Sequence, residues 1–207
     1  LIYIDLGRVN EYGKWVSTLD FIDVEDTELD DAAYTQAEKQ YLANNSSQAE
    51  KLFEQYLSTY PKGQRTLQAH FYLAQIAFAK AEFGKAIPHY EYVLAIERTE
   101  FTEQALARLG QIYLSQKDYK AAIPILKRLE AEADFPQNVV FAQTNLMKSF
   151  YDQQDYAKSV SYAEVVLDNP KIDKNVKSDA QTIIARSAMQ TGDVQRAKEA
   201  YRQVSKI

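Results

Sequence analysis

The stretch ALARLGQIYLSQKDYKAAIPILKRL, Ala105–Leu129, decides the fold. Leu106, Leu109, Ile112 and Tyr113 recur at helical spacing and form one apolar stripe. The polar turn Ser115–Asp118 interrupts that stripe. Asp118 has the chemistry of an N-cap, because its carboxylate accepts hydrogen bonds from the free N–H groups of a first helical turn. A second stripe follows, made of Tyr119, Ala122, Ile123, Leu126 and Leu129. The pattern predicts two helices packed back to back, with Gly110 and Ala122 where their backbones approach closely.

The same phrase recurs along the chain. Val9, Ser46, Phe83, Tyr119, Tyr156 and Val194 each open a second helix, at spacings of 37, 37, 36, 37 and 38 residues. The four from Phe83 onward follow Glu82, Asp118, Asp155 and Asp193. Three residues later comes a small residue and then an aromatic, as in Ala49/Phe53, Ala86/Tyr90 and Ala197/Tyr201. Self-similarity at a fixed period is the mark of a repeat architecture. Pro61, Pro136 and Pro170 fall between units, where a proline ends one helix and prepares the next. Pro88 and Pro124 are different: they lie inside second helices, 36 residues apart and in the same phase. Both should face water and leave free the carbonyls of Gly84 and Lys120, so a bend or a late start is expected in these two helices.

These residues resemble the tetratricopeptide repeat (TPR). LGQIYLSQKDYKAAI, 109–123, is close to the family pattern, and the likeness extends over nearly the whole chain. The resemblance implies an all-α fold, a right-handed α-solenoid of antiparallel helix pairs. About five repeats are expected over 32–207, the last a C-terminal cap, preceded by a partial repeat over 1–19 and an acidic linker over 20–31. FEQYLSTYPKG, 53–63, and AHFYLAQIAFAKAEFGKAI, 69–87, are further similar to the periplasmic, Tol-Pal-associated TPR proteins of bacterial envelopes. That likeness implies a periplasmic or outer-membrane-associated location, with a cytoplasmic one as the alternative.

The ends carry expectations of their own. Residues 1–19 read as the tail of a first helix and a complete second one, so further repeats are expected upstream, and anchoring through that missing region. Lys198 and Ser205 stand where other units have Ile87 and Leu94, so an array end near Ile207 is expected. The stretch 20–31 holds seven acids in twelve residues. A calcium loop needs a glycine at its tight turn, and none is present. A solvated linker, with Asp30 or Asp31 capping the next helix, is the expectation.

Composition removes several classes of function. The net charge is −5 and no Lys/Arg run occurs, which argues against a nucleic-acid partner, including an RNA-binding helical-repeat reading. There is no cysteine, hence no disulfide, zinc ribbon or thiol nucleophile. No apolar run reaches the ~18–20 residues of a membrane span. His70 and His89 lie on different helices without another ligand nearby in sequence, and read as ordinary surface or partly packed histidines, not metal ligands. No catalytic constellation and no cofactor motif appears.

What remains is surface. In stacked helix pairs the first helices line a concave face. Off their core stripe stand Tyr34, Glu38 and Tyr41, then Phe71, Gln75 and Phe78, then Gln111, then Lys148 and Tyr151, then Arg186. These are the candidate partner-binding residues. The row is aromatic toward its N-terminal half and cationic toward its C-terminal half, which suits an extended peptide with an apolar part and an acid. The expectation is a non-catalytic scaffold for a protein or peptide partner; the alternative is a spacer arm without a groove.

Overall fold

The computed structural model describes residues 7–16, 18 and 26–207. Eleven α-helices and no strand occur among them. In chain order they are α1 (Val9–Val16), α2 (Asp26–Leu42), α3 (Ser46–Thr59), α4 (Thr66–Ala79), α5 (Phe83–Leu94), α6 (Thr102–Ser115), α7 (Tyr119–Glu132), α8 (Pro136–Asp152), α9 (Tyr156–Leu167), α10 (Lys174–Gln190) and α11 (Val194–Val204). The chain divides into two compact units, Leu1–Phe101 and Thr102–Ile207. Unit 1 holds α1–α5 and unit 2 holds α6–α11. The expected tail of a first helix over residues 1–6 lies outside the described residues.

Every second helix begins at a position the repeat predicts, and the backbone explains why. Two residues before each start, φ is positive: Gly7, Asn44, Ala81, Lys117, Gln154 and Gly192. At the last five, each left-handed residue donates its N–H three residues back and the next residue donates five back. Lys117 N bonds Leu114 O at 3.0 Å and Asp118 N bonds Tyr113 O at 2.9 Å. That is the Schellman closure, which satisfies the end carbonyls of the first helix. The next residue then caps the second helix: Asp118, Asp155 and Asp193 accept from Ala121, Lys158 and Arg196 N–H. One turn of backbone thus ends one helix and starts its partner.

Small residues let the pairs approach. Ala49, Ala86, Ala122, Ser159 and Ala197, each three residues into a second helix, are at most 1% exposed. A Cβ on Gly110 would lie 3.2 Å from Leu126 Cδ2, so a side chain there would press α6 off α7. In unit 1 the core is Tyr34, Ala37, Ala49, Phe53, Tyr56, Ala69, Leu73 and Ile76. In unit 2 Ala122, Leu126, Leu146 and Phe150 form one cluster, and Met147, Ala163, Val166 and Ile184 belong to a second. Each fully buried Leu or Phe contributes roughly 1.5–3 kcal/mol. Tyr201, the aromatic of the last pair, is 46% exposed.

The acidic linker needs correction. α2 begins at Asp26, not beyond Asp31. Glu28, Asp30 and Asp31 occupy its first two turns, where carboxylates favour the positive end of the helix dipole. Asp30 does not cap its own helix. It is buried, and accepts Tyr56 OH at 2.5 Å and Gln64 N–H at 2.9 Å. Glu103 repeats this role in unit 2, accepting Asp134 N, Phe135 N and Asn138 Nδ2 at 3.0, 3.1 and 2.7 Å. Both carboxylates stand 16 residues before the next second helix, at Ser46 and Tyr119. Each reaches across to the segment that enters the following repeat. Residues 20–25 of the expected linker lie outside the described residues.

The prolines also differ from expectation in one respect. Pro88 and Pro124 are exposed, as their phase requires. Neither helix starts late: α5 opens at Phe83 and α7 at Tyr119. Proline is tolerated because the carbonyls it frees, Gly84 and Lys120, lie in the first turn.

Candidate partner-binding surface

In unit 1 the candidate residues come from α2 and α4. Tyr34 and Phe71 are each 5% exposed, which removes them from the surface. The Tyr34 ring lies 6.0 Å from both Phe53 and Tyr56, and Phe71 lies 4.5 Å from Phe101. A large ring on a first helix fills the space between neighbouring helices before it can serve a partner. Glu38, Tyr41, Gln75 and Phe78 stay partly exposed. Tyr34 OH donates to Glu38 Oε1 at 2.9 Å, so a buried phenol orients a half-exposed carboxylate. Burial, and then Glu38, pushes the Tyr34 and Tyr72 hydroxyls up, which keeps both as proton donors. The Tyr41 and Tyr72 rings meet at 4.6 Å beside them. Gln75 accepts Tyr90 OH at 2.6 Å, and Phe78 packs at 5.9 Å from Phe83. Sequence reasoning does not find Tyr72: it lies off the i, i+4, i+7 row and joins Tyr41 only because α2 and α4 are brought side by side.

In unit 2 the side chains come from α6, α8 and α10. Gln111 accepts from Arg108 at 3.1 Å. Tyr151 is half-buried, edge-on to Tyr156 at 5.6 Å. Lys148 is exposed but its ammonium is 2.6 Å from Asp179 on α10. The expected cationic row is therefore partly neutralised, and Arg186, also exposed, is its remaining open charge. An exposed pair of this kind contributes only ~0.2–1 kcal/mol, so a partner carboxylate can displace Asp179 at little cost.

The two histidines are partly packed, and they pack on each other. His70 on α4 and His89 on α5 are in contact, Nδ1 to Nδ1 at 2.8 Å. His70 stacks on Tyr92 at 3.8 Å with 17° between the rings. Burial and the neighbouring His89 push His70 down to about 4, and burial lowers His89 as well. Residues 19 apart in sequence gave no local signal of this; the turn at Ala81 brings them together.

Models of the tetratricopeptide repeat match residues 34–100, 103–130 and 179–207. The chain belongs to the tetratricopeptide-repeat family. Solved structures with the same fold include MamA of AMB-1, at 18% identity over 88% of this chain and 93% of that one, with a TM-score of 0.64. YrrB, described as a TPR protein with an unusual peptide-binding site, matches at 14% identity, 84% and 83% coverage, and a TM-score of 0.63. MamA from Desulfovibrio magneticus RS-1 matches at 14% identity, 89% and 96% coverage, and a TM-score of 0.58. No curated protein matches the chain. The TPR family has protein-interaction scaffolds as its common role, and the helix pairs of both units follow its fold. Among the described residues no helix is long and apolar enough to cross a membrane.

Proposed function

We propose that this TPR protein is a non-catalytic scaffold that binds an extended segment of a protein partner along its first helices, in a bacterial cell envelope. The observation that carries the reading is the set of first-helix groups the core leaves in reach of solvent. In unit 1 these are Glu38, Tyr41, Gln75 and Phe78, and in unit 2 Tyr151, Arg186 and Met189. The scaffold fixes them in advance, as Tyr34 does for Glu38, so binding costs little side-chain ordering. The unit 1 face favours a partner's apolar or cationic side chains. The unit 2 face, with Arg186 and a displaceable Lys148–Asp179 pair, favours a carboxylate.

Periplasmic or outer-membrane association is supported by the likeness of 53–63 and 69–87 to Tol-Pal-associated TPR proteins. Fractionation of the full-length protein tests it; a wholly cytoplasmic distribution would overturn it. Partner binding is tested by recovery from native lysate with wild type and with Tyr41→Ala/Arg186→Glu, both retaining wild-type helicity. Loss of a specific co-purifying protein in the double variant is expected. Equal recovery would favour a spacer arm with no groove of its own.

A further inference from the structure

We propose that Glu38, Tyr41 and Tyr72 form the subsite that receives a basic side chain, lysine or arginine, of the partner segment. The proposal rests on the scaffold reading only for the source of that side chain. Glu38 on α2 is half-buried, and its Oε1 accepts Tyr34 OH at 2.9 Å. The Tyr72 hydroxyl, from α4, lies among the side chains of Tyr34, Glu38 and Tyr41. Three phenols and one carboxylate thus meet. Each phenol has a single hydrogen to give, while the carboxylate only accepts and each phenol oxygen accepts as well. The cluster is short of donors. An ammonium brings three N–H donors, about as many as the site lacks, and a guanidinium brings five.

The chain does not supply that cation itself. Among the described residues Glu38 takes part in no ion pair. Arg65, with its guanidinium 5.7 Å from the Tyr34 ring, pairs with Asp31 at 3.2 Å instead. The rings complete the chemistry. Tyr41 and Tyr72 are half-exposed and meet at 4.6 Å with 48° between them. Tyr72 also stacks on the fully buried Phe53 at 5.5 Å, which fixes its plane. A cation within ~6 Å of a tyrosine face is attracted by the ring quadrupole, and rings already fixed need little ordering on binding. A neutral side chain gains neither the ring nor the carboxylate attraction, and an acidic one is repelled by Glu38.

The test titrates three probes into the chain: N-acetyl-lysine methylamide, N-acetyl-arginine methylamide and the citrulline analogue, which has arginine's shape without its charge. Ring-proton shifts of Tyr41 and Tyr72 in the NMR spectrum read binding. Wild type is expected to hold at least one basic probe about fivefold tighter than citrulline. Glu38→Gln, checked for helicity, is expected to lose that preference. Citrulline binding as tightly as both basic probes would overturn the subsite, whatever the variant does, and so would a preference that survives Glu38→Gln. Selection of a displayed random peptide library on the same two proteins separates this from the scaffold reading. Peptides whose basic residue requires Glu38 are expected to be enriched. Enrichment of peptides without a basic residue would overturn the subsite and leave the scaffold standing. A basic probe held at Tyr41 and Tyr72 with no peptide enriched would support the subsite and overturn the scaffold.

Discussion

Six residues at the helix turns have a positive φ, and only Gly7 and Gly192 among Gly7, Asn44, Ala81, Lys117, Gln154 and Gly192 are the glycine that adopts it freely. A left-handed φ costs an L residue ~1–2 kcal/mol relative to its ordinary conformation, and glycine far less. Ala81→Gly is therefore expected to stabilise unit 1, raising the urea midpoint by the equivalent of ~0.5–1 kcal/mol. Gly192→Ala should do the reverse in unit 2. No change in either variant would show that the turns relax freely. The histidine pair makes a second prediction. His70 binds its proton less readily folded, at about 4 against an ordinary 6.5, so the unfolded chain takes up more protons between those values. Stability should therefore fall as pH drops from 6.5 toward 4 and be fully present above 6.5. His70→Asn should flatten that slope; a profile unchanged by the substitution would dissociate the slope from this residue.

Among the elements, the first helices carry the long-range polar work. Burial pushes Glu103 up, but bonds from Asn138 and from the Asp134 and Phe135 N–H groups outweigh it and hold the carboxyl below its ordinary value. Its contribution is thus present above about 4.5 and lost as pH falls through the folded value. Glu103→Ala leaves those N–H groups near α8 without an acceptor and should cost about 1–3 kcal/mol, read from denaturant unfolding. A loss under half of that would show that water replaces the carboxylate. Ser149 and Ser187 are buried with hydroxyls that have no hydrogen-bond partner, at the place Ile76 and Ile112 hold in other repeats. Ser149→Ala removes an unsatisfied hydroxyl and is expected to be neutral or stabilising by up to ~1–2 kcal/mol. The element starts were legible in sequence because the cap and the period coincide there. The start of α2 was not, because an acidic first turn and an acidic linker look alike until a packed neighbour receives one of the carboxylates.

At the scale of the molecule, stability in a stack of repeats is a sum of local terms and neighbour interfaces. Each unit has its own buried clusters. Leu126, fully buried in α7, should cost ~2–5 kcal/mol when cut to alanine. Hydrogen exchange should then quicken through α6–α11 while amides of α2–α5 keep their wild-type rates. Equal loss of protection in both units would mean that the chain unfolds as one. The candidate surface belongs to this scale too. Its row was legible from the i, i+4, i+7 phase of the first helices, and Glu38, Tyr41, Arg186 and their neighbours do reach solvent. Tyr34 and Phe71 share that phase and are buried, because phase reports direction from one helix and says nothing of which neighbour already occupies that direction.

The sequence by itself determined the all-α class, the repeat of 36 to 38 residues, the turn positions and the small residues that let helices meet. These are local quantities, set by apolar periodicity, capping chemistry and side-chain volume within a few residues. Only the tertiary structure decided where Asp30 and Glu103 send their carboxylates, that Asp179 answers Lys148, and that His70 faces His89. Those pairings join residues 19 to 35 apart, and their geometry depends on how tightly each turn closes and each helix pair packs.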